Sequence, residues 1–173
     1  WDLAPHDISI ENYIVDDRPY SVQAVGVSHT NNEIENIAYL TLNYSSNMIV
    51  HFHCSWTSPV KIRKFLIGGE KKMIAWDDME PTEKIKVYDT SYSYSSNEEK
   101  RKILVDYRVG DIYVPKVSNN EALSELAKDF LTSVSEGTKP IANYISGINV
   151  IKVLEASQIS IKQGGKEVKV NYS

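Results

Sequence analysis

A single cysteine, Cys54, in 173 residues excludes an internal disulfide, so nothing here calls for an oxidising compartment. No apolar run approaches the length of a membrane span and no signal-peptide pattern is present, which makes a cytoplasmic domain without membrane contact the expectation. Positive charge is not in excess: 19 Lys and Arg face 23 Asp and Glu, for a net charge of -4. The densest basic stretch, Lys61 to Lys72, is interrupted by Glu70, so no phosphate-neutralising face is expected and no nucleic-acid partner with it. Glycine is scarce too. None of the 8 glycines falls in a Gly-x-Gly-x-x-Gly pattern, and no dinucleotide pyrophosphate cradle can be placed.

What remains is ordinary in bulk and uneven in detail. With 42% hydrophobic and 24% charged residues, the chain has the length and composition of one globular domain able to bury a core. Eleven tyrosines against three phenylalanines favour strands with one half-wet face, where a ring packs and a hydroxyl finds a partner. The periodicity predicts a first helix from about Leu3 to Ile14, with Ile10, Tyr13 and Ile14 on the side of His6 and Asp16-Asp17-Arg18-Pro19 ending it. Period-two segments follow at Tyr20 to His29, Asn36 to Tyr44, Met48 to Trp56 and Lys61 to Ile67. Further strands are expected at Lys71 to Trp76, Glu83 to Tyr88, Arg101 to Val109 and Asp111 to Val117, with a polar Ser/Tyr-rich loop over Ser91 to Lys100.

The last third returns to helix. Ser118-Asn119-Asn120-Glu121 reads as a capping box ahead of an apolar stripe of Leu123, Leu126, Ala127, Phe130, Leu131 and Val134. A second long helix, about Asn143 to Lys162, should turn Ile148, Ile151, Leu154 and Ile159 inward before Gly164-Gly165 ends it and Glu167 to Val170 adds a strand. The order of elements predicts an α+β domain: a large, mostly antiparallel open sheet with helices packed on one face.

Asp2 and His6, four residues apart at the start of the first helix, fall on one helical face, where a carboxylate beside an imidazole makes a candidate acid/base pair. The plainer reading takes Asp2 as an N-cap and His6 as a first-turn residue. Lys61 and Arg63 share a strand face; they suit acidic or phosphate groups of a ligand, or simply a solvated sheet surface. His51 and His53 share a face and Cys54 takes the opposite one, so no metal site is expected, since a tetrahedral site has no evident third and fourth ligand. His53 is a candidate pocket-lining or sheet-surface residue. No Ser or Cys stands in a nucleophile elbow, which counts against a hydrolase.

Four stretches together carry a resemblance. They are Trp1-Asp2-Leu3-Ala4-Pro5-His6-Asp7-Ile8; Ser55-Trp56-Thr57-Ser58-Pro59-Val60-Lys61-Ile62-Arg63; Ile67-Gly68-Gly69-Glu70-Lys71-Lys72-Met73-Ile74 with Trp76-Asp77-Asp78; and Gly137-Thr138-Lys139-Pro140-Ile141 leading into Val153-Leu154-Glu155-Ala156-Ser157. In this order they resemble the carboxy-terminal domain of the glucose-fructose oxidoreductase, inositol dehydrogenase and rhizopine-catabolism (Gfo/Idh/MocA) superfamily. The second and third look most like UDP-N-acetylglucosamine 3-dehydrogenases. The resemblance implies that residues 1–173 are one substrate-binding and oligomerisation domain whose Rossmann half is missing upstream, and that NAD or NADP is a cofactor of the full-length parent rather than of this chain. It also implies a sugar, nucleotide-sugar or cyclitol substrate, a homodimer or tetramer formed through the sheet, His6 as acid/base with Asp2 supporting it, and hydride transfer in the parent. The family's Glu-Lys-Pro segment is absent; Thr138-Lys139-Pro140 belongs to the distal helical hairpin and is not its equivalent. The chain alone is therefore expected to be inactive, and a non-catalytic dimerisation or sugar-binding module is the alternative.

Overall fold

The computed structural model describes residues 1–30, 34–89, 91–93, 106–108, 110–118 and 120–173. The chain divides into two compact units, Trp1–Pro59 with Glu125–Ser173, and Val60–Ser124.

In the first unit, helix α1 spans Ala4–Ile14 and carries Pro5 in its first turn, where a missing N–H costs no intrahelical bond. It ends at Val15, whose backbone is extended, ahead of the Asp16 to Pro19 stop. Its buried stripe is Ala4, Ile8 and Glu11, the i, i+4, i+7 face, while Tyr13 and Ile14 are exposed. Strands β1 (Ser21–Val27), β2 (Ile37–Asn43) and β3 (Ile49–Ser55) form an antiparallel meander, with Leu42 opposite both Val22 and Val50. The β2–β3 turn uses Asn47 at φ 61, a residue that tolerates the left-handed region because its short polar side chain bonds locally.

Helix α3 (Tyr144–Lys162) packs on β1 and on α1. Asn143 caps it, accepting from the backbone N–H of Ile145 at 3.0 Å and of Ser146 at 3.2 Å. At the far end Gly164 and Gly165 both take positive φ; Gly164 N–H donates to Ile161 O and Gly165 N–H to Ser160 O, the reciprocal closure that satisfies the last carbonyls. The chain then returns as β10 (Val168–Lys169) beside β1, giving a sheet in the order β10-β1-β2-β3. The inner face of this sheet, formed by Val22, Ala24, Leu40, Leu42, Phe52 and Cys54, is covered by α1 and α3, so the expected one-sided packing of helices holds here.

The inward face of α3 differs from the expected one. Leu154 is buried, but Ile148, Ile151 and Ile159 are each more than two-fifths exposed, and the buried positions are Val150, Val153, Leu154, Ala156, Ser157 and Ser160. Isoleucines ring this helix, so hydrophobicity alone does not choose a face. The small residues do, because they let the helix axis approach the sheet. The serine hydroxyls are satisfied in place: Ser157 Oγ donates to Val153 O at 2.8 Å, and Ser160 Oγ accepts from Ala24 N–H at 2.8 Å while donating to Lys166 O at 2.6 Å. Ser160→Ala leaves the buried Ala24 N–H without this acceptor and the part-buried Lys166 carbonyl without this donor, and is expected to cost about 1–3 kcal/mol, read as a lower urea midpoint with unchanged slope.

Helix α2 (Ala122–Glu136) is capped by Glu121 itself, whose carboxylate accepts from Leu123 N–H at 3.2 Å and Ser124 N–H at 2.9 Å. This replaces the expected reciprocal box, of which Asn119 lies outside the described residues. The stripe of Leu123, Leu126, Phe130, Leu131 and Val134 is exposed, and Ser133 is the buried residue of the helix.

The second unit holds an antiparallel sheet in the order β4 (Lys64–Gly68), β5 (Met73–Asp77), β6 (Ile85–Tyr88), β9 (Ile112–Tyr113), and a separate pair of β7 (Ser91–Ser93) and β8 (Asp106–Arg108). Phe65 and Trp76 pair across β4 and β5 edge to face at 5.4 Å. The rest of the expected 91–100 loop and of the 101–109 strand lies outside the described residues. The antiparallel α+β class is as expected; among the described residues the strands are shared between two four-stranded sheets and a two-stranded one.

Candidate functional site

His6 sits in the first turn of α1 with an exposed ring. Its backbone is held on both sides, His6 N–H donating to Leu3 O at 3.2 Å and Ser9 Oγ donating to His6 O at 2.8 Å, while no hydrogen bond or ion pair ties the imidazole to another described residue. A firmly seated backbone with an untethered ring suits a side chain that meets a ligand. Asp2 is also exposed, but it lies outside the helix, because Leu3 takes the N-cap position without a side-chain bond. The shared helical face expected for Asp2 and His6 requires both residues to be helical, and one is not. No hydrogen bond joins the two, nor is Asp2 the cap. The lead-in is fixed instead by Trp1, whose Nε1 donates to Gln158 Oε1 on α3 at 2.7 Å.

Of the other sequence-predicted residues, His53 belongs to the first unit and Lys61 and Arg63 to the second. Cys54 and Phe52 face the helices, so His51 and His53 occupy the opposite, open face of β3, as strand alternation requires. There Tyr39 stacks on His53 at 4.5 Å and on His51 at 6.1 Å, and Thr41 Oγ1 lies 3.1 Å from His51 Nδ1. His53 is thus a sheet-surface residue, separated from His6 by the sheet. Among the described residues no three His, Cys, Asp or Glu side chains gather as a metal site would need. The Cys54 thiol is pushed up to about 11 by burial and then by the charge of Asp7, partly offset by the chain's amino group, which leaves it a poor nucleophile.

Lys61 and Arg63 belong to the second unit and precede β4, which begins at Lys64 rather than at Lys61. Both are exposed. Arg63 pairs with Asp78 at 3.5 Å, and Lys84 reaches the same carboxylate at 3.4 Å; an anionic ligand on Arg63 would compete with Asp78. Lys64 pairs with Asp77 at 3.1 Å, and the hydrogen bond from Lys64, followed by that from Met79 N–H, holds the Asp77 carboxyl below the usual range.

One polar group was missed by sequence reasoning. Glu11 occupies the buried stripe of α1 at 5% exposure, and Tyr44 Oη donates to its Oε1. The signal was present as a carboxylate at i+3 from Ile8 and i+7 from Ala4, where an apolar residue belongs.

Residues 1–75, from α1 into β5, match the family described as the GFO/IDH/MocA C-terminal domain. All five of the sequence-predicted site residues lie in that segment. Among solved structures, the chain is similar to a UDP-N-acetylglucosamine 3-dehydrogenase from Acidithiobacillus ferrooxidans, with TM-score 0.75 and 15% identity over 94% of this chain and 46% of that one. It is similar also to an aldose-aldose oxidoreductase from Caulobacter crescentus complexed with glycerol, with TM-score 0.73 and 15% identity over 97% of this chain and 46% of that one. A levoglucosan dehydrogenase in complex with NADH aligns with TM-score 0.74 and 14% identity over 98% of this chain and 49% of that one. The fold of the chain is that of the corresponding part of these solved structures. The chain spans about half the length of these relatives. No curated protein matches it by sequence.

Among the described residues no glycine-rich turn opens a helix as a pyrophosphate cradle would. A pyrophosphate cradle needs a glycine-rich turn leading into a helix N-terminus with free N–H groups. Here the positive-φ glycines Gly137, Gly164 and Gly165 all follow helix C-termini. The N-terminus of α3 is filled by Asn143 and that of α2 by the carboxylate of Glu121. No helix among the described residues is long and apolar enough to cross a membrane.

Proposed function

We propose that this chain is the substrate-side, C-terminal part of an NAD(P)-dependent oxidoreductase acting on a hydroxyl of a sugar, nucleotide sugar or cyclitol, with the nicotinamide nucleotide held by protein outside this sequence. The observation that carries the reading is the fold shared with sugar dehydrogenases, together with an exposed, backbone-anchored His6 inside the segment that matches the family. The contribution of the chain is binding and proton handling. His6 takes the proton of the substrate hydroxyl as it is oxidised and returns it in the reverse direction, work an imidazole can do because its ring nitrogen both accepts and donates a proton. Asp2 supports the cationic ring at longer range than a hydrogen bond. Lys61 and Arg63 serve the second unit as positions for anionic groups, and His53 belongs to the open sheet face of the first unit, through which two copies associate in the cytoplasm.

The test is reduction of NAD+ or NADP+ by the protein containing this chain, run against free hexoses, cyclitols and UDP-linked amino sugars. Turnover with one of these classes supports the reading. Saturable sugar binding without turnover on any of them would overturn it in favour of a non-catalytic binding module.

A further inference from the structure

Tyr44 follows β2 and is buried at 3% exposure, against Glu11 at 5%. Of the two carboxylate oxygens of Glu11, Oε1 accepts from Tyr44 Oη, whereas Oε2 is buried without a hydrogen-bond partner, as is the Oη of Tyr172 near the chain's end. Neither Arg18 nor Lys152 pairs with Glu11. They sit over the Tyr172 ring, at 5.3 and 5.7 Å from its centroid. The remaining charge acting on Glu11 is Asp17, which is of like sign. Helix α1 also packs on β3, whose buried residues, Phe52 and Cys54, supply no countercharge. A buried carboxylate with one hydrogen bond, one orphan oxygen and no cation is a poor anion and a good holder of a proton.

We propose that Glu11 is a proton-dependent latch on α1: protonated, it seats the helix and the His6 it carries against the end of β2, and on losing its proton it lets the helix loosen. Its bearing on turnover rests on His6 being the acid/base, but the latch itself does not. Burial raises the affinity of Glu11 for its proton, the Tyr44 hydrogen bond opposes this, and Asp17 reinforces it. A carboxyl whose folded pKa is raised contributes stability that is full below its unfolded pKa and is lost as pH rises through the folded value.

The test is hydrogen exchange of the α1 amides across pH, corrected for intrinsic rates, in the wild type and in Glu11→Gln, a neutral variant of the same shape that still accepts from Tyr44. In the wild type, protection falls by up to about tenfold per pH unit between the ordinary glutamate pKa and that of Glu11. In Glu11→Gln this fall disappears. Tyr44→Phe, which removes the opposing hydrogen bond, moves the upper end of the fall to higher pH, and this readout is independent of how much either variant destabilises the fold. The same pH course in wild type and Glu11→Gln overturns the latch. A latch that behaves as stated in a protein whose turnover is indifferent to His6 would instead overturn the catalytic reading and leave the latch standing.

Discussion

His6→Ala, made in the protein that contains this chain, is expected under the proposed function to lower kcat by about 10²- to 10⁴-fold, the range removed when a positioned general base is lost. KM should change little, because the imidazole acts on one proton while the rest of the sugar is bound by other groups. The expectation rests on placement: the His6 backbone is pinned by Leu3 and Ser9, its ring is exposed, and no described side chain competes for its nitrogens. His6→Gln should recover little, since an amide can hydrogen-bond the hydroxyl but cannot carry the proton away. Asp2→Asn should cost far less than His6→Ala, because Asp2 makes no hydrogen bond to the ring and acts only through its charge. Steady-state kinetics on the three variants decides this, and an unchanged kcat in His6→Ala removes His6 from the chemistry.

Local chemistry made most of the framework readable. Pro5 and the Asp16 to Pro19 stop bound α1, Asn143 and Gly164-Gly165 bound α3, and the alternation of Phe52 and Cys54 against His51 and His53 places the histidines on the open face. Choices that depend on packing were not readable. The inward face of α3 is selected by Ala156, Ser157 and Ser160 rather than by its isoleucines, because close approach to β1 outweighs side-chain hydrophobicity. A spacing of four residues between Asp2 and His6 implies a shared face only if the helix starts before Asp2, and the N-terminal boundary is set by backbone geometry that spacing does not encode. Glu11 is the hardest case: a carboxylate in an apolar stripe looks like a break in the pattern, and only the arrival of Tyr44 from β2 turns it into a buried partner.

Leu42→Ala is expected to destabilise the first unit by about 2–5 kcal/mol. Leu42 is fully buried on β2, an inner strand of its four-stranded sheet, opposite Val22 on one side and Val50 on the other, with α1 and α3 closing the inner face. Neighbours held on both sides by ladder hydrogen bonds cannot collapse into the space left behind, so the cavity adds to the lost transfer energy. Against a total stability of about 5–15 kcal/mol for a typical domain, that loss brings the unit near its folding threshold. Leu66→Ala provides the contrast within one chain, because Leu66 on β4 is 74% exposed and its truncation should stay within about 0.5 kcal/mol. Urea unfolding followed by far-UV circular dichroism measures both. A Leu42→Ala midpoint as close to wild type as that of Leu66→Ala would mean that the helices do not cover this sheet face in solution. The seating of α1, and with it the presentation of His6, would then need a different physical basis.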